Sequence, residues 1–375
     1  MSDVTGLELR SAVDAEGKLT LSLEEVTLGG PAADEVIVRV EAAPINPSDL
    51  GLLLGPADVS TLETSGTAER PVLTFTVPRE RRGGVRARIG QSLPVGNEGG
   101  GTVIDAGENA RELIGRKVGM LGGAMYTQFR KLKVRDVVLL PEGRTSAEGA
   151  AMFVNPLTSL AFVETMRMEG HTAIVHTAAA SNLGQMLQKI CLADGVPLVN
   201  IVRSAAQAKI LTDIGATYVI DSSAPDFRAK LVDAIAETNA TIAFDALGGG
   251  SLGSDILQSM EQAANRNAKE YSRYGSNTFK QLYIYGALDL SPTMLNRLAF
   301  GFQWAVGGFL LTPFLTKAPQ DVVAKMRKRV VDELTTTFAS RYTATIGLAE
   351  ALKPDVLKAY ERKATGEKYL IDPTR

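Results

Sequence analysis

The chain has 375 residues, of which 45% are hydrophobic and 22% charged, so it is long enough for about two globular domains. Its formal net charge of −2 gives no reason to expect nucleic acid as the main partner. The single cysteine, Cys191, excludes an internal disulfide and suits a reducing cytosol. The first residues are partly acidic and include no apolar core segment, so we expect no secretory signal and a cytoplasmic location.

The first part of the chain is rich in β-type sequence. Apolar and polar residues alternate in 19–23 and 35–41, and glycine-punctuated runs follow at 101–107 and 117–121, which predicts a small antiparallel barrel. The stretch Gly55–Ser92 interrupts this pattern, and we expect a functional or mobile loop there. Its basic cluster predicts a solvated face, with a binding patch as the alternative; the residues are Arg79, Arg81, Arg82, Arg86 and Arg88.

From about Met152 the sequence changes to strand–helix alternation, which predicts a parallel sheet covered by helices on both faces. The predicted strands are Ala173–Thr177, Leu198–Val202, Tyr218–Asp221, Ile242–Ala246 and Leu282–Gly286. The predicted helices are Gly184–Ala193, Ala205–Ile214, Asp226–Thr238 and Ser254–Ala268. A capping box is expected at Ser204–Gln207, and Pro225 is expected in the first turn of the third helix.

Three further stretches complete the prediction. The polar segment Asn265–Lys280 is interpreted as an insertion in the last strand–helix unit. The charge-free stretch Leu298–Thr316 is long enough for a membrane span, but its polar and glycine residues favour a buried helix followed by a core strand. After Pro319 we expect two amphipathic helices and a terminal strand at 368–372.

The opening unit of the alternating region resembles a dinucleotide-binding turn. The three glycine positions of the G-x-G-x-x-G fingerprint are occupied by Ala179, Ser181 and Gly184, of which only the last is glycine, so a plain turn without ligand is the alternative. Ala and Ser are small enough for a pyrophosphate to approach, and the Ser181 hydroxyl can donate to a phosphate oxygen. The intervening Asn182 and Leu183 are included in the predicted cofactor site.

The end of the second strand indicates which nucleotide is bound. An acidic residue there would accept from the ribose 2′-hydroxyl of NAD, whereas this chain has Arg203 and Ser204 with no acid before Asp213. A guanidinium can bind a 2′-phosphate bidentately, so the pattern predicts NADPH. Lys209 is a weaker helper, and a solvated strand-end arginine is the alternative.

Several motifs together resemble the medium-chain dehydrogenase/reductase superfamily, in its zinc-free branch of quinone oxidoreductases and enoyl reductases. They are Val36–Asp49, which includes Asn46-Pro-Ser-Asp49; Leu93–Val103, which includes Asn97-Glu98-Gly; Val154–Ser159; Ile214–Ile220; and Phe244–Gly250. The resemblance implies a GroES-like catalytic domain, at 1–152 and 316–375, and a Rossmann NADP-binding domain at 153–315. It also implies a homodimer.

The resemblance also implies roles for individual residues. Asn46, Asn155 and Thr158 match positions near the nicotinamide, whereas Asn97 and Glu98 are structural or functional with equal weight. Gly286, Ala287 and Phe309 match segments that pass the cofactor, and Lys368 matches a lysine near the phosphates of NADPH. Enoyl reductases of this family use a tyrosine after the Asn-Pro-Ser-Asp segment as proton donor. That loop has no tyrosine here, and Tyr126 is the nearest substitute.

The chemistry that remains is hydride transfer without a metal. Catalytic zinc needs three protein ligands, and the only soft candidates, Cys191, His171 and His176, show no convergent spacing. Nucleophilic catalysis is unsupported, since neither histidine lies in the barrel half that faces the substrate. The leading prediction is an NADPH-dependent reductase of quinones or other activated double bonds. The alternatives are a 2-enoyl thioester reductase and an NADPH-binding protein without turnover.

Overall fold

The computed structural model describes residues 3–266, 268 and 270–375. Its strands, in chain order, are β1 Val4–Val13, β2 Lys18–Leu28, β3 Glu35–Pro44, β4 Asp58–Gly66, β5 Pro71–Thr76, β6 Ser92–Pro94, β7 Glu98–Ala106, β8 Lys117–Leu121, β9 Phe129–Lys133, β10 Val137–Leu139, β11 Ile174–His176, β12 Leu198–Val202, β13 Tyr218–Asp221, β14 Ile242–Asp245, β15 Gly248–Gly250, β16 Lys280–Ile284, β17 Asp289–Thr293, β18 Trp304–Gly308, β19 Ala344–Ile346 and β20 Tyr369–Ile371. The α-helices are α1 Pro47–Leu53, α2 Ser146–Gly149, α3 Val154–Met168, α4 Asn182–Asp194, α5 Ala205–Ile214, α6 Phe227–Thr238, α7 Leu252–Arg266, α8 Leu311–Lys317, α9 Gln320–Asp332 and α10 Pro354–Glu361.

The chain divides into two compact units, residues 1–154 with 331–375 and residues 155–330. The second boundary therefore differs from the expected position at residue 315. Most of α9 belongs to the second unit, where Arg329 forms an ion pair of 2.8 Å with Asp194 at the end of α4. The apolar face of an amphipathic helix does not indicate which domain the helix packs against, so the sequence pattern could not place this boundary.

The first unit is built from two mostly antiparallel sheets. One has the order β4-β5-β2-β1-β6, and the other has the order β10-β8-β7-β3-β20-β19 with β9 also paired to β3. Their apolar faces form one core that includes Leu19, Leu21, Val38, Val40 and Phe75. The expected terminal strand is present as β20, which pairs antiparallel with β3.

The stretch Gly55–Ser92 is not the long loop that its composition suggested. It forms the hairpin of β4 and β5, followed by a 3-10 helix at Arg79–Arg88, here called the arginine segment. β5 pairs with β2 and extends the sheet, while β4 lies at its edge. The edge strand is rich in Ser, Thr and Glu and faces solvent, so it lacks the apolar alternation by which strands are recognised.

The second unit contains a six-stranded parallel sheet in the order β13-β12-β11-β14-β16-β18. The predicted strands and helices lie within about two residues of the observed ones. Two expectations were wrong. The stretch 298–316 forms strand β18 before helix α8, the reverse of the expected order, and Pro225 precedes α6, which begins at Phe227 after the N-cap Asp226.

Asn267 and Lys269, in the predicted insertion 265–280 and next to the end of α7, lie outside the described residues. Within the described ranges, no helix is long and apolar enough to cross a membrane.

Candidate functional site

The order of strands in the second unit marks a specific position on its sheet. From β11, the chain proceeds outward to β12 and β13, and then returns to the other side of β11 for β14, β16 and β18. In open parallel sheets, ligands bind at the carboxyl ends of the strands where the order reverses in this way. The carboxyl ends of β11 and β14 are therefore the candidate site of this unit.

Thr177 and Asp245 join the two strands at that position. The Thr177 hydroxyl donates to Asp245 Oδ1 over 2.7 Å and accepts from the backbone N–H of Ala246 over 2.8 Å. Asp245 also accepts from the N–H groups of Leu247 and Gly248, each at 3.0 Å. These bonds fix both strand-to-helix turns. Sequence reasoning missed the pair, although Thr177 directly follows β11 and Asp245 is the last residue of β14.

The turn between β11 and α4 has the close packing that the glycine fingerprint serves. A Cβ atom on Gly184 would lie 2.1 Å from the carbonyl oxygen of Ala179, so no larger residue fits there without a shift. Ser181 is the N-cap of α4, and its hydroxyl oxygen accepts from Gly184 N–H over 3.2 Å. Ala178 adopts a φ of 48°, an uncommon value for a residue with a Cβ atom. The third fingerprint position is thus sterically required to be glycine.

This turn fits a pyrophosphate group. The backbone N–H groups at the start of a helix have no intrahelical acceptor, and Asn182 and Leu183 are the first two residues of α4. With the helix dipole, such groups favour an anion. Ser181 uses its hydroxyl oxygen as the cap, which leaves the hydroxyl proton for a phosphate oxygen.

Arg203 directly follows β12, at the same edge of the sheet as the turn. Its side chain is exposed, and among the described residues the guanidinium has no ion pair or hydrogen bond. Ser204 is the N-cap of α5, and its hydroxyl accepts from Gln207 N–H. Gln207 Oε1 accepts from the N–H of Arg203. The expected capping box would instead have this oxygen accept from the N–H of Ser204, one residue later. Lys209 is engaged with Asp213 at 2.8 Å. Arg203 is therefore the available cation at this edge.

The last strands of the sheet carry the other predicted cofactor residues. Gly286 lies close to β14, since a Cβ atom there would be 2.4 Å from Ala246 O, and Ala287 is exposed. The Phe309 ring packs edge-on against Phe162, with ring centroids 5.1 Å apart. Phe309 is therefore a member of the aromatic core of this unit, and its cofactor role stays a prediction.

Asn155 and Thr158 lie three residues apart near the start of α3, so they share a face of that helix. Both are buried, at 9% and 8% exposure. His176, at the end of β11, is fully buried and forms a hydrogen bond of 2.8 Å with the Tyr285 hydroxyl. Burial lowers the pKa of His176 to about 3, so this imidazole stays neutral.

In the first unit, Asn46 and Asp49 form a capping box at the start of α1, in which Asp49 accepts from Asn46 N–H over 2.8 Å. The Asn46 amide donates to Glu98 Oε1 over 2.8 Å. The other Glu98 oxygen accepts from the N–H groups of Phe153 and Val154, each at 2.9 Å. Glu98 is fully buried and thus fixes the orientation of the Asn46 amide.

Asn97 and Asp49 complete this cluster. Asn97 N–H donates to Asp49 Oδ1 over 2.8 Å, and the Asn97 amide donates to Ser48. Burial raises the pKa of Asp49 to about 7 and also raises the pKa of Glu98. Sequence reasoning missed Asp49 as a titrating group, because its burial cannot be read from the motif.

Tyr126, the predicted substitute proton donor, lies in the core of the first unit with no exposed surface. Its hydroxyl donates to the carbonyl oxygen of Pro44 over 3.2 Å. Burial, assisted by the Asp49 carboxylate, raises its pKa well above the ordinary value. This placement argues against a role as proton donor.

Lys368 is also buried in the first unit. Its Nζ lies 5.7 Å from the centroid of the Tyr342 ring and, in the part of the chain that the structure describes, has no hydrogen-bond partner. Burial lowers its pKa, and Glu98 and Asp49 oppose that shift. The phosphate-binding role expected for Lys368 stays a prediction.

The chain is similar in sequence to curated enoyl-[acyl-carrier-protein] reductases of mitochondria. It is 28% identical over 212 residues to the Xenopus tropicalis protein and 31% identical over 210 residues to a Caenorhabditis elegans protein. Each match covers 53% of this chain, and 51% and 53% of the respective relative, so the chain spans about half the length of the curated relatives it matches. No family model matches the chain.

Solved structures are similar over almost the whole chain. A candidate NADPH:quinone reductase from Mesorhizobium loti is 24% identical, with a TM-score of 0.72 over 100% of this chain and 99% of that one. The Etr1p complex with NADP and crotonyl-CoA is 17% identical, with a TM-score of 0.69 over 98% and 100%. The Escherichia coli quinone oxidoreductase complexed with NADPH is 18% identical, with a TM-score of 0.68 over 99% and 100%. The chain therefore has the two-domain α/β fold of these solved structures, as its sequence predicted.

Proposed function

We propose that this chain is an NADPH-dependent oxidoreductase that transfers a hydride to a quinone or another activated double bond without zinc. The observation that carries the proposal is the exposed Arg203 after β12, which has no ion pair among the described residues and lies at the same edge of the sheet as the close-packed turn at Gly184. The names of the similar solved structures, which include quinone reductases with NADPH, support it.

In this proposal the chain binds and orients its reactants. The start of α4, with Ser181, Asn182 and Leu183, holds the pyrophosphate, and Arg203 holds the 2′-phosphate. Bound NADPH supplies the hydride. Asn46, Asn155 and Thr158 act near the nicotinamide, as the family resemblance implies. A reduced quinone takes its proton from water, so no protein acid is required.

The proposal of zinc independence rests on the hydrogen bonds of the two histidines and on the burial of the cysteine. His171 Nδ1 pairs with the Thr241 hydroxyl at 2.7 Å, and His176 Nε2 pairs with Tyr285. Cys191 is buried in α4, where burial raises the pKa of its thiol to about 12. These groups are committed to separate parts of the second unit, and a thiol with so high a pKa is a poor metal ligand.

A second candidate function is 2-enoyl thioester reduction, which is favoured by the names of the curated relatives and by the crotonyl-CoA complex of Etr1p. The absence of a tyrosine from residues 50–58 opposes it. A third is NADPH binding without turnover.

A homodimer and a cytoplasmic location are also proposed. The homodimer is supported by the edge strand β18 and by exposed apolar side chains in the segment that precedes it in the chain, at Leu288, Leu290, Met294, Leu298 and Phe302. The sedimentation coefficient of the purified chain tests whether it is a dimer, and fractionation of the cells that express it tests the cytoplasmic location.

An acceptor screen tests the proposed activity. Purified chain is mixed with NADPH and a panel of quinones, enones and crotonyl thioesters, and the loss of reduced nicotinamide is followed by absorbance. Turnover with quinones supports the leading proposal, and turnover with thioesters alone supports the second. Tight NADPH binding with no turnover of any acceptor supports the third.

A further inference from the structure

Tyr285 directly follows β16, at the same edge of the parallel sheet as Thr177 and Asp245. Its N–H donates to the carbonyl oxygen of Asp245 over 2.9 Å, and its hydroxyl forms the 2.8 Å hydrogen bond with His176 Nε2. His176 is fully buried, whereas Tyr285 is half-buried. The pair therefore spans the carboxyl ends of β11, β14 and β16, and Tyr285 is its accessible member.

The other ring nitrogen of His176 indicates the direction of this hydrogen bond. Within the described part of the chain, Nδ1 is buried and has no hydrogen-bond partner. The imidazole is neutral, so one of its two nitrogens carries a proton and the other does not. A buried N–H without an acceptor is rarer in folded proteins than a buried acceptor without a donor. The proton therefore belongs on Nε2, which donates to the Tyr285 oxygen.

The proton of the Tyr285 hydroxyl then has no acceptor in the protein. Among the described residues, the bond to His176 is the only hydrogen bond of this hydroxyl. Burial, together with the nearby Asp245 carboxylate, raises the pKa of Tyr285, so the hydroxyl keeps its proton. Tyr285 is thus an oriented donor, and its acceptor must come from water or from a bound molecule.

The order of the strands places Tyr285 on the nicotinamide side of the proposed nucleotide site. The turn at Gly184 follows β11, and Arg203, proposed for the 2′-phosphate of the adenosine half, follows β12 on one side of it. A dinucleotide lies across the carboxyl ends of the strands where their order reverses. The nicotinamide half therefore extends to the opposite side of β11, over β14 and β16, where Tyr285 lies.

Helix α3 supports the same placement. The Phe162 ring packs edge-on against the Tyr285 ring, with ring centroids 4.8 Å apart. Thr158 precedes Phe162 by four residues, so the two side chains lie on one face of α3, about one turn apart. The family resemblance assigns Thr158 to the surroundings of the nicotinamide. Tyr285 therefore contacts the same face of α3 that carries this residue.

We propose that the Tyr285 hydroxyl, oriented by His176, donates a hydrogen bond to the carboxamide oxygen of the nicotinamide. The inference rests on the proposed function and adds to it a residue that orients the reacting ring. Tyr285 contacts the cofactor in this proposal, and His176 is a positioning residue that acts through it. Both side chains are neutral, so they place no charge beside a ring whose own charge changes during hydride transfer.

Calorimetric binding of two nucleotides to the full chain tests the contact without requiring turnover. They are NADP⁺ and 2′-phospho-ADP-ribose, which lacks only the nicotinamide. Y285F removes the proposed donor, and the matched control Y283F removes a hydroxyl on the same strand that donates instead to Glu169 over 2.6 Å. We expect Y285F to weaken NADP⁺ binding about fivefold, while its affinity for 2′-phospho-ADP-ribose and both affinities of Y283F change by less than about twofold. An unchanged NADP⁺ affinity in Y285F, or an equal loss for both ligands, overturns the inference.

A thioamide nucleotide tests which atom of the nicotinamide is contacted. Thio-NADP⁺ has sulfur, a weaker acceptor, in place of the carboxamide oxygen. The unmodified chain should bind it about fivefold more weakly than NADP⁺, and this preference should disappear in Y285F. H176F leaves the hydroxyl without its orienting donor and should reduce the preference to about twofold. No preference in the unmodified chain, or one that persists in Y285F, contradicts the contact, and a full preference in H176F contradicts the positioning role of His176.

The same titrations separate this inference from the proposed function. If the unmodified chain binds neither NADP⁺ nor 2′-phospho-ADP-ribose, the nucleotide site is refuted, and the proposed function and the inference fail together. If both ligands bind and Y285F changes neither affinity, only the inference fails.

Discussion

The Asn46 amide and the Glu98 carboxylate are joined by a buried hydrogen bond of 2.8 Å, and this bond sets which end of the amide faces Glu98. Because Glu98 Oε1 accepts this bond, the nitrogen of the Asn46 amide, and not its oxygen, faces the carboxyl group. The same carboxylate accepts from two backbone N–H groups that lead into α3. Glu98 therefore organises the Asn46 region and the start of that helix together, which explains why this acidic residue tolerates full burial.

Substitution of Glu98 should destabilise the fold. E98A removes the acceptor of three hydrogen bonds, from the Asn46 amide and from the N–H groups of Phe153 and Val154. Each loss costs about 1–3 kcal/mol, so we expect the free energy of unfolding to fall by roughly 3 kcal/mol or more. E98Q should lower the free energy of unfolding by less, because the glutamine oxygen can still accept from the N–H groups of Phe153 and Val154. Its NH₂ group would then face the NH₂ group of Asn46, so only that hydrogen bond is lost. Urea unfolding measures both, with E63Q on the exposed edge strand as the control. An E98A variant as stable as E63Q would contradict this account.

The buried Asp49 predicts a pH dependence of stability. Its pKa rises from an ordinary 3.8 to about 7 in the folded chain, chiefly because burial disfavours the charged form. The folded state then binds more protons than the unfolded state between these values, so the contribution of this group to stability is present below about pH 4 and is lost as the pH rises to about 7. Between about pH 4 and pH 7 the free energy of unfolding should therefore fall less steeply with rising pH in D49N than in the unmodified chain, as urea unfolding at a series of pH values would measure. Parallel profiles for the two proteins would show that Asp49 does not titrate there.

Gly184 should be intolerant of alanine. The added Cβ would lie 2.1 Å from Ala179 O, so the turn must shift, at a cost of about 1–3 kcal/mol in stability. The affinity for NADPH should also fall in G184A, because the same turn is proposed to hold the pyrophosphate. Thermal unfolding and NADPH fluorescence measure the two effects. G30A, where a Cβ meets nothing within 4 Å, is the control, and equal behaviour of the two variants would refute the prediction.

Tyr126 provides a test of the proton donor. Y126F removes the hydrogen bond to Pro44 O, and we expect about 1 kcal/mol of lost stability with quinone turnover retained within twofold. Loss of a general acid would instead lower kcat by about 100-fold or more. A drop of that size in a folded Y126F variant would restore Tyr126 as the proton donor.

The sequence predicted the second unit well because its strands are short apolar runs with helices between them. The strand Leu198–Val202 and the helix Ala205–Ile214 were predicted at their observed bounds. Gly184 was identified as the third fingerprint position, and its contact with Ala179 shows the steric reason.

Other features had no local signal. The stretch 298–316 has no charged side chain, so no period distinguished the strand from the helix, and their order was reversed. The hairpin of β4 and β5 was missed because its edge strand is polar on both faces. The Asp49–Asn97 and Thr177–Asp245 contacts join residues 48 and 68 positions apart, and only the folded chain brings these groups together.

The measurement that tests the central claim most directly is the ratio of kcat/KM for NADPH to that for NADH, with a quinone as acceptor, in the unmodified chain and in R203A. The exposed guanidinium of Arg203 predicts a strong preference for NADPH that falls by tenfold or more in R203A, while the kinetics with NADH stay unchanged. The control is K209A, whose lysine is paired with Asp213, and its preference should stay close to that of the unmodified chain. Equal use of NADPH and NADH, or a preference that survives in R203A, would contradict the account.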